Sequence, residues 1–256
     1  MNRITALFAR KKDKVLNVYF TAGHPKLEDT CKIIQHLDRL DVDLVELGMP
    51  YSDPLADGPT IQQSSEKALK NGMTLDFLFH QIQEVRKVSE VPIIMMGYFN
   101  QMIQYGERRF LETAKKAGVD GMIIPDLPMD IYESDYKEHF DQLDLNMSFL
   151  VTPETSDERI KKADRLSSGF LYVVSKSSIT GSSGQISDRQ KAYFMHLNSL
   201  GLQSPKLIGF GIHNQATYET ACSYANGAII GSAFIRALEA EGVLQDRIER
   251  FINTIR

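Results

Sequence analysis

Val15-Leu16-Asn17-Val18-Tyr19-Phe20, a following segment in which Leu27, Thr30, Ile34, Leu37 and Leu40 recur near a helical period, and then Asp43-Leu44-Val45-Glu46-Leu47-Gly48 together decide the fold. The two flanking runs are short and nearly continuous in apolar residues, as strands covered on both faces must be. The segment between them sets an apolar stripe against a face of Asp, Lys and Arg, the pattern of a helix packed on a sheet. One βα unit is therefore written into residues 15–48. The alternation continues through Val91–Met96, Val119–Ile124, Asn146–Val151, Phe170–Val174, Lys206–Phe210 and Ala228–Gly231, which makes eight strand-like runs in 256 residues. An open doubly wound sheet ordinarily has about five or six strands and a closed barrel needs eight, so the pattern predicts an α/β chain folded as a (β/α)8 TIM barrel. Asn2–Lys11 precedes the first run and places Ile4, Leu7 and Phe8 on one face, which predicts an extra N-terminal helix closing the bottom of the barrel. No Pro/Gly/Ser-rich linker divides the chain, and Ser175–Gly184 reads as a loop, so residues 1–256 are expected to form a single domain.

Composition narrows the function classes. Lys plus Arg total 29 against 33 for Asp plus Glu, a formal net charge of -4 that offers nucleic acid no electrostatic footprint. Hydrophobic residues make up 43% of the chain, enough to bury a large core. The two cysteines, Cys31 and Cys222, show neither CxxC nor Cys/His spacing and fall in helical stretches, so neither a disulfide nor structural zinc is expected. The N-terminus lacks the apolar core of a signal peptide, and no stretch reaches the ~18 apolar residues of a membrane span. A soluble, cytoplasmic protein is expected.

In such a barrel the loops after the strand C-termini share one mouth, so polar residues ending a strand are the first candidates for chemistry. Glu46 lies inside an apolar run, where a carboxylate is costly unless paired or neutral. Position alone leaves two readings: a partly exposed or paired strand-end Glu, or a general acid/base whose desolvated carboxyl holds a proton near neutral pH. Asp57 follows in a loop with three prolines and a glycine, which fix the backbone at low entropic cost. It is a turn residue or a side chain held over the mouth; Asp53, just before Pro54, reads as a turn residue.

Glycines gather after the last three runs: Thr180-Gly181, Gly209-Phe210-Gly211-Ile212, and Gly227 through Gly231-Ser232. Singly each is an ordinary turn. Together, in the order in which many barrels bind phosphate, they predict one site where backbone N–H groups approach the anion and Gly231-Ser232 opens a helix toward it. A dinucleotide fold is disfavoured, because Gly209 and Gly211 lack the third glycine of GxGxxG. Lys176 stands among Ser175, Ser177 and Ser178 and reads as a mobile-loop residue rather than a Schiff-base lysine. The six histidines show no metal spacing, and no metal is expected; His24 and His213, beyond strand ends, read as solvated loop residues that also have access to the mouth.

The segment Glu46-Leu47-Gly48-Met49-Pro50-Tyr51-Ser52-Asp53-Pro54-Leu55-Ala56-Asp57-Gly58-Pro59-Thr60-Ile61-Gln62 closely resembles the signature of tryptophan synthase alpha chains. Similar matches follow in order: Tyr19 through Pro25, Met96-Gly97-Tyr98-Phe99-Asn100, Pro125-Asp126-Leu127-Pro128, Tyr172 through Gly181, and the glycines of the last two runs. The resemblance covers nearly the whole chain. It implies a carbon–carbon lyase that cleaves indole-3-glycerol phosphate to indole and glyceraldehyde-3-phosphate by a retro-aldol step. Glu46 would protonate the ring carbon bearing the glycerol chain, Asp57 would stabilise the ring N–H as positive charge develops, and Tyr172 would lie near the substrate. Phe20, Tyr98 and Leu127 would line the indole pocket, and Thr180, Gly181, Gly211, Gly231 and Ser232 would hold the phosphate. No cofactor is implied for this chain, since the indole ring serves as the electron sink. Pyridoxal phosphate would belong to a beta subunit, the partner in an α2β2 heterotetramer, which receives indole through a tunnel. Asp53, Asn100, Asp126 and Pro128 would lie at or near that interface, and the loops around Asp57 and Thr180 would close over substrate.

Two positions depart from the family's common pattern: Tyr51 where Phe is frequent, and Lys176 where Arg is. The first adds a hydroxyl beside the catalytic loop, and the second exchanges a bidentate donor for a point charge. The rival readings are another phosphate-binding barrel enzyme, such as indole-glycerol-phosphate synthase or a sugar-phosphate isomerase, and a non-catalytic alpha subunit that only activates its partner. The Asp57 loop disfavours the first, and the presence of both carboxylates argues against the second.

Overall fold

The computed structural model describes residues 1–54, 57–175, 186–209 and 211–256. Along them strands and helices alternate: α1 (Arg3–Arg10), β1 (Val15–Thr21), α2 (Asp29–Arg39), β2 (Leu44–Gly48), α3 (Pro59–Lys70), α4 (Leu75–Arg86), β3 (Ile93–Met96), α5 (Phe99–Tyr105), α6 (Glu107–Ala117) and β4 (Gly121–Ile123). There follow α7 (Met129–Ile131), which runs through a π-helical turn at Tyr132–Tyr136 into α8 (Lys137–Gln142), then β5 (Asn146–Met147), β6 (Leu150–Val151), α9 (Asp157–Leu166) and β7 (Leu171–Val174). The chain ends in α10 (Asp188–Ser199), β8 (Lys206–Gly209), α11 (Gln215–Cys222), β9 (Gly227–Ile230), α12 (Ser232–Leu238) and α13 (Leu244–Asn253). All strand pairings are parallel, in the order β5-β4-β3-β2-β1-β9-β8-β7-β6.

The two edges of this sheet, β5 and β6, are halves of the single run Asn146–Val151, so the sheet curls shut through it as a (β/α)8 barrel. The expected fifth strand is thus interrupted at Ser148 and Phe149. Serine hydroxyls replace ladder carbonyls at this seam: Ser168 Oγ accepts from Met147 N (2.9 Å), Ser167 Oγ from Phe149 N (3.1 Å) and Ser148 Oγ from Phe170 N (3.1 Å). The other expected strands stand within a residue or two of their predicted bounds. The third begins after Pro92 because a proline has no N–H for the ladder.

One apolar layer lies between barrel and helices and includes Phe20, Ile33, Ile34 and Leu37; a second fills the barrel interior with Val15, Tyr19, Leu44, Ile94, Ile123, Phe170, Tyr172 and Ile229. Ile4, Leu7 and Phe8 of α1 belong to this interior set, so the extra N-terminal helix plugs the barrel floor as expected. Asn2 fixes it there: its Oδ1 caps the helix at Ile4 N (2.9 Å), and its Nδ2 donates to the carbonyls of Asp120 (2.7 Å) and Asp144 (2.8 Å). The sequence pattern anticipated one extra helix. The structure adds a second helix after each of β2, β3 and β9, and α12 follows β9 directly.

Candidate active site

Glu46 sits on β2 with its neighbours set by register: Tyr19 of β1 on one side and Ile94 of β3 on the other. Its side chain enters the barrel and is fully buried. Asn17, two residues before Tyr19 and on the same face of β1, donates from Nδ2 to Glu46 Oε2 at 2.7 Å, while Glu46 Oε1 has no hydrogen-bond partner. Burial pushes the Glu46 carboxyl up to about 8; the Asn17 bond works against that shift, and the charge of Asp57 adds to it. Neither reading of Glu46 as exposed or ion-paired survives, since the group is enclosed and its partner is a neutral amide.

Asp57 precedes α3, whose N-cap is Gly58 and whose first residue is Pro59, a residue preset for helix entry. The turn is closed by Asp57 N donating to the Pro54 carbonyl (3.1 Å) and by Gln62 Nε2 donating back to the Asp57 carbonyl (2.9 Å). The carboxylate, half-buried, accepts at Oδ2 from the Tyr98 hydroxyl (3.1 Å). Burial raises it to about 6 in spite of that bond. Asp53 is an exposed turn residue bonded to Ser52, as its place before Pro54 suggested.

Glu46 and Asp57 line one cavity of about 690 Å³, counting its open mouth, together with Tyr19, Ile61, Met96 and Tyr172. Ile229, Gly211, Gly231, Ser232, His213 and Arg236 are also part of its wall. Gly211 has φ +83°, where a side chain is strained. Gly48 and Gly209 make room for the two interior tyrosines: a Cβ would stand 2.3 Å from the Tyr19 hydroxyl at the first and 2.6 Å from the Tyr172 ring at the second. Burial raises both phenols well above their ordinary range, so they stay protonated donors.

Not all of the expected residues line this cavity among the described residues. Phe20 does not face the cavity; it points outward from β1 and packs edge-on against Phe234, ring centroids 6.3 Å apart. Strand alternation gives Tyr19 that place. Leu127 lines a separate cleft with Asp126, Met129, Phe149 and Arg159. Tyr98 is not among the residues lining the cavity; it bonds to Asp57 and stacks on Tyr51 at 5.1 Å. The added hydroxyl of Tyr51 accepts from Asn100 Nδ2 at 3.0 Å. His24 is fully buried rather than solvated, with neither ring nitrogen hydrogen-bonded, whereas His213 reaches the cavity wall and is held by Nδ1 against the Gly211 carbonyl (2.8 Å). Thr180, Gly181 and Lys176 lie outside the described residues. Missed by the sequence reading were Asn17, Tyr19, Ile61, Met96 and Arg236. Parity marked the first two, because 15, 17 and 19 share one face of a strand, and an Asn in an apolar run is a signal in itself. Among the described residues no group of three or more His, Cys, Asp or Glu is placed to hold a metal, both cysteines are free, and no helix is long and apolar enough to cross a membrane.

A closed parallel barrel with carboxylates and glycines converging on the C-terminal ends of its strands defines a (β/α)8 barrel enzyme. Comparison with known proteins makes the assignment specific. Residues 6–254 match the family model for the tryptophan synthase alpha chain. The chain is 50% identical over 256 residues to the tryptophan synthase alpha chain of Flavobacterium johnsoniae and 48% identical to that of Parabacteroides distasonis, with all of each chain covered. Among solved structures, a mutant tryptophan synthase alpha-subunit from Pyrococcus furiosus superposes with a TM-score of 0.87 at 32% identity, covering 96% of this chain and 98% of that one. Tryptophan synthase from M. tuberculosis, in an aminoacrylate-bound form, gives 0.86 at 26% identity with both chains fully covered. The chain belongs to the tryptophan synthase alpha chain family. Its role is that of an alpha subunit in tryptophan biosynthesis, and the family's known reaction is the retro-aldol cleavage of indole-3-glycerol phosphate to indole and glyceraldehyde-3-phosphate.

Proposed function

We propose that the chain, working as one barrel domain, performs this carbon–carbon lyase reaction with Glu46 and Asp57 as its catalytic pair. The observation that carries the reading is their common cavity: a buried carboxyl held near 8 beside a second carboxylate held near 6. Two acids whose environments separate their proton affinities can take different roles at one pH. Glu46, as the acid, delivers its proton to the indole ring carbon that bears the glycerol chain. The ring becomes cationic, and Asp57 accepts the ring N–H and stabilises that charge. A base takes the glycerol hydroxyl proton, the carbon–carbon bond breaks, and its electrons return to the ring, so indole and glyceraldehyde-3-phosphate leave with atoms and charge balanced. The ring is the electron sink, and no cofactor is required of this chain.

Tyr19, Ile61, Met96 and Ile229 provide flat apolar walls for the ring, and Tyr172 stands beside the reacting carbons. The phosphate is assigned to Gly211, Gly231 and Ser232, whose lack of bulk at the mouth lets backbone N–H groups approach the anion. Thr180 and Gly181 would join them. The partner is a tryptophan synthase beta subunit, which would carry the pyridoxal phosphate and receive the indole in an α2β2 assembly. Asp53, Asn100, Asp126 and Pro128, all exposed beyond β2, β3 and β4, are assigned to that contact.

The test is release of glyceraldehyde-3-phosphate from indole-3-glycerol phosphate, coupled to a dehydrogenase, with and without a matching beta subunit. Slow turnover that rises with the beta subunit and falls by at least ~10²-fold in Glu46→Gln is expected. Undiminished turnover in that variant would remove Glu46 from the mechanism. No turnover by the folded chain under either condition would favour the reading as a non-catalytic activating subunit.

A further inference from the structure

β1 brings a polar side chain into the barrel that the reaction as described does not use. Asn17 is fully buried, and its Nδ2 donates to Glu46 Oε2 at 2.7 Å. Two oxygens of the pair, Asn17 Oδ1 and Glu46 Oε1, are buried with no hydrogen-bond partner. A buried amide in an apolar barrel is costly unless it is satisfied, and here only half of it is. That points to chemistry rather than packing.

We propose that Asn17 is a positioning residue for the proton donor: its amide N–H pins Oε2, so the transferable proton is carried on Oε1, the oxygen that has no hydrogen-bond partner. The inference rests on Glu46 being the acid of the cleavage step. When the proton leaves, the Oε1–H bond breaks, a C–H bond forms at the ring carbon, and the electron pair stays on the carboxylate. The negative charge is shared with Oε2, where the Asn17 N–H is already aimed. That bond is therefore stronger after proton transfer than before it, which is the condition for lowering the barrier rather than merely binding. The other groups facing Glu46 are the Tyr19 phenol from β1, the Tyr172 phenol from β7, Asp57 from the loop before α3, and apolar Ile94 from β3. Asp57 opposes charge on Glu46, and Asn17 is the counterweight that favours it.

Asn17→Leu, nearly isosteric, and Asn17→Ser, smaller and still polar, test the assignment in the full chain with its beta subunit. Expected is a loss of about 10-fold or more in kcat with KM within about 2-fold of the wild type. The alkaline limb of the kcat–pH profile moves up by about one pH unit, since removing a bond to the charged form makes the acid harder to ionise. Infrared titration of the carboxyl band reads the same shift without activity, so the more conservative Asn17→Ser suffices if Asn17→Leu does not fold. In a Glu46→Gln background, Asn17→Ser has no further effect on residual turnover. An unmoved limb and carboxyl band in either folded variant, or an equal loss in the Glu46→Gln background, overturns the assignment. Full turnover in Glu46→Gln alone would instead strike the reading on which it depends.

Discussion

The hydroxyl of Tyr98, at the head of α5, donates to Oδ2 of Asp57 at 3.1 Å and so ties the loop after β2 to the end of β3. The bond favours the ionised carboxylate, the form that the role proposed for Asp57 requires. Tyr98→Phe removes it, and Asp57 then rises above its present value of about 6. The acid limb of kcat should move to higher pH, with kcat at neutral pH reduced by roughly 3- to 10-fold. A profile identical to the wild type would show that burial alone governs Asp57.

The intact enzyme should show a bell-shaped kcat profile. Turnover rises as the pair loses its first proton near 6, mostly from Asp57, and falls as it loses the second near 8, mostly from Glu46. A rate that keeps rising past pH 9 would mean that Glu46 acts as a base rather than an acid.

Stability should run the other way from function. An unfolded Glu46 titrates near 4.5 and the folded one near 8, so between those values the folded chain holds the proton that the unfolded chain has lost. The folded state is then progressively penalised as pH rises, and the penalty levels off above about 8 at a few kcal/mol. Glu46→Gln is neutral throughout. It should melt above the wild type at pH 9, with the advantage disappearing near pH 4; melting curves that differ equally at both ends would refute the linkage.

The barrel was legible because each strand announces itself by its own composition, and burial on both faces permits little else. Glu46 drew notice for the opposite reason, as a charge where an apolar run should tolerate none, and Asp57 drew notice as a carboxylate in a loop stiffened by three prolines. What the sequence concealed was orientation. Tyr19 and Phe20 are adjacent aromatics in one run; parity puts them on opposite faces, and the register Tyr19↔Glu46 shows which face enters the barrel. Leu127 is likewise apolar and beyond a strand, and nothing local in the sequence shows that it lines a separate cleft with Phe149 and Arg159. The break at Ser148 was hidden because serines at 148, 167 and 168 satisfy backbone groups from a distance of about twenty residues, which no local pattern encodes.

Gly231 and Gly211 should respond differently to alanine. At Gly231 a Cβ would meet Tyr19 no closer than 3.4 Å, and φ is -117°, so the fold accepts it. The methyl would then occupy space assigned to the phosphate, and KM should rise by roughly 10-fold with little change in melting temperature. At Gly211 the φ of +83° strains any side chain, and about 1 kcal/mol of stability should be lost as well. If Gly231→Ala leaves KM unchanged, the phosphate lies elsewhere on the mouth.

Tyr19 and Phe20 provide the sharpest separation of site from scaffold. Phe20 is fully buried against Phe234, so Phe20→Ala should cost about 3–5 kcal/mol of stability through the cavity it leaves. At temperatures where that variant remains folded, its KM should match the wild type. Tyr19 contributes its ring to the wall beside Glu46 and keeps its hydroxyl in the space left by Gly48. Tyr19→Leu should therefore weaken binding of indole itself, measured by calorimetry, by roughly 10-fold, because a flat aromatic wall is exchanged for a branched one. The reverse pattern, with indole binding lost in Phe20→Ala and kept in Tyr19→Leu, would mean that the ring enters the barrel from the side of α12 rather than over Glu46.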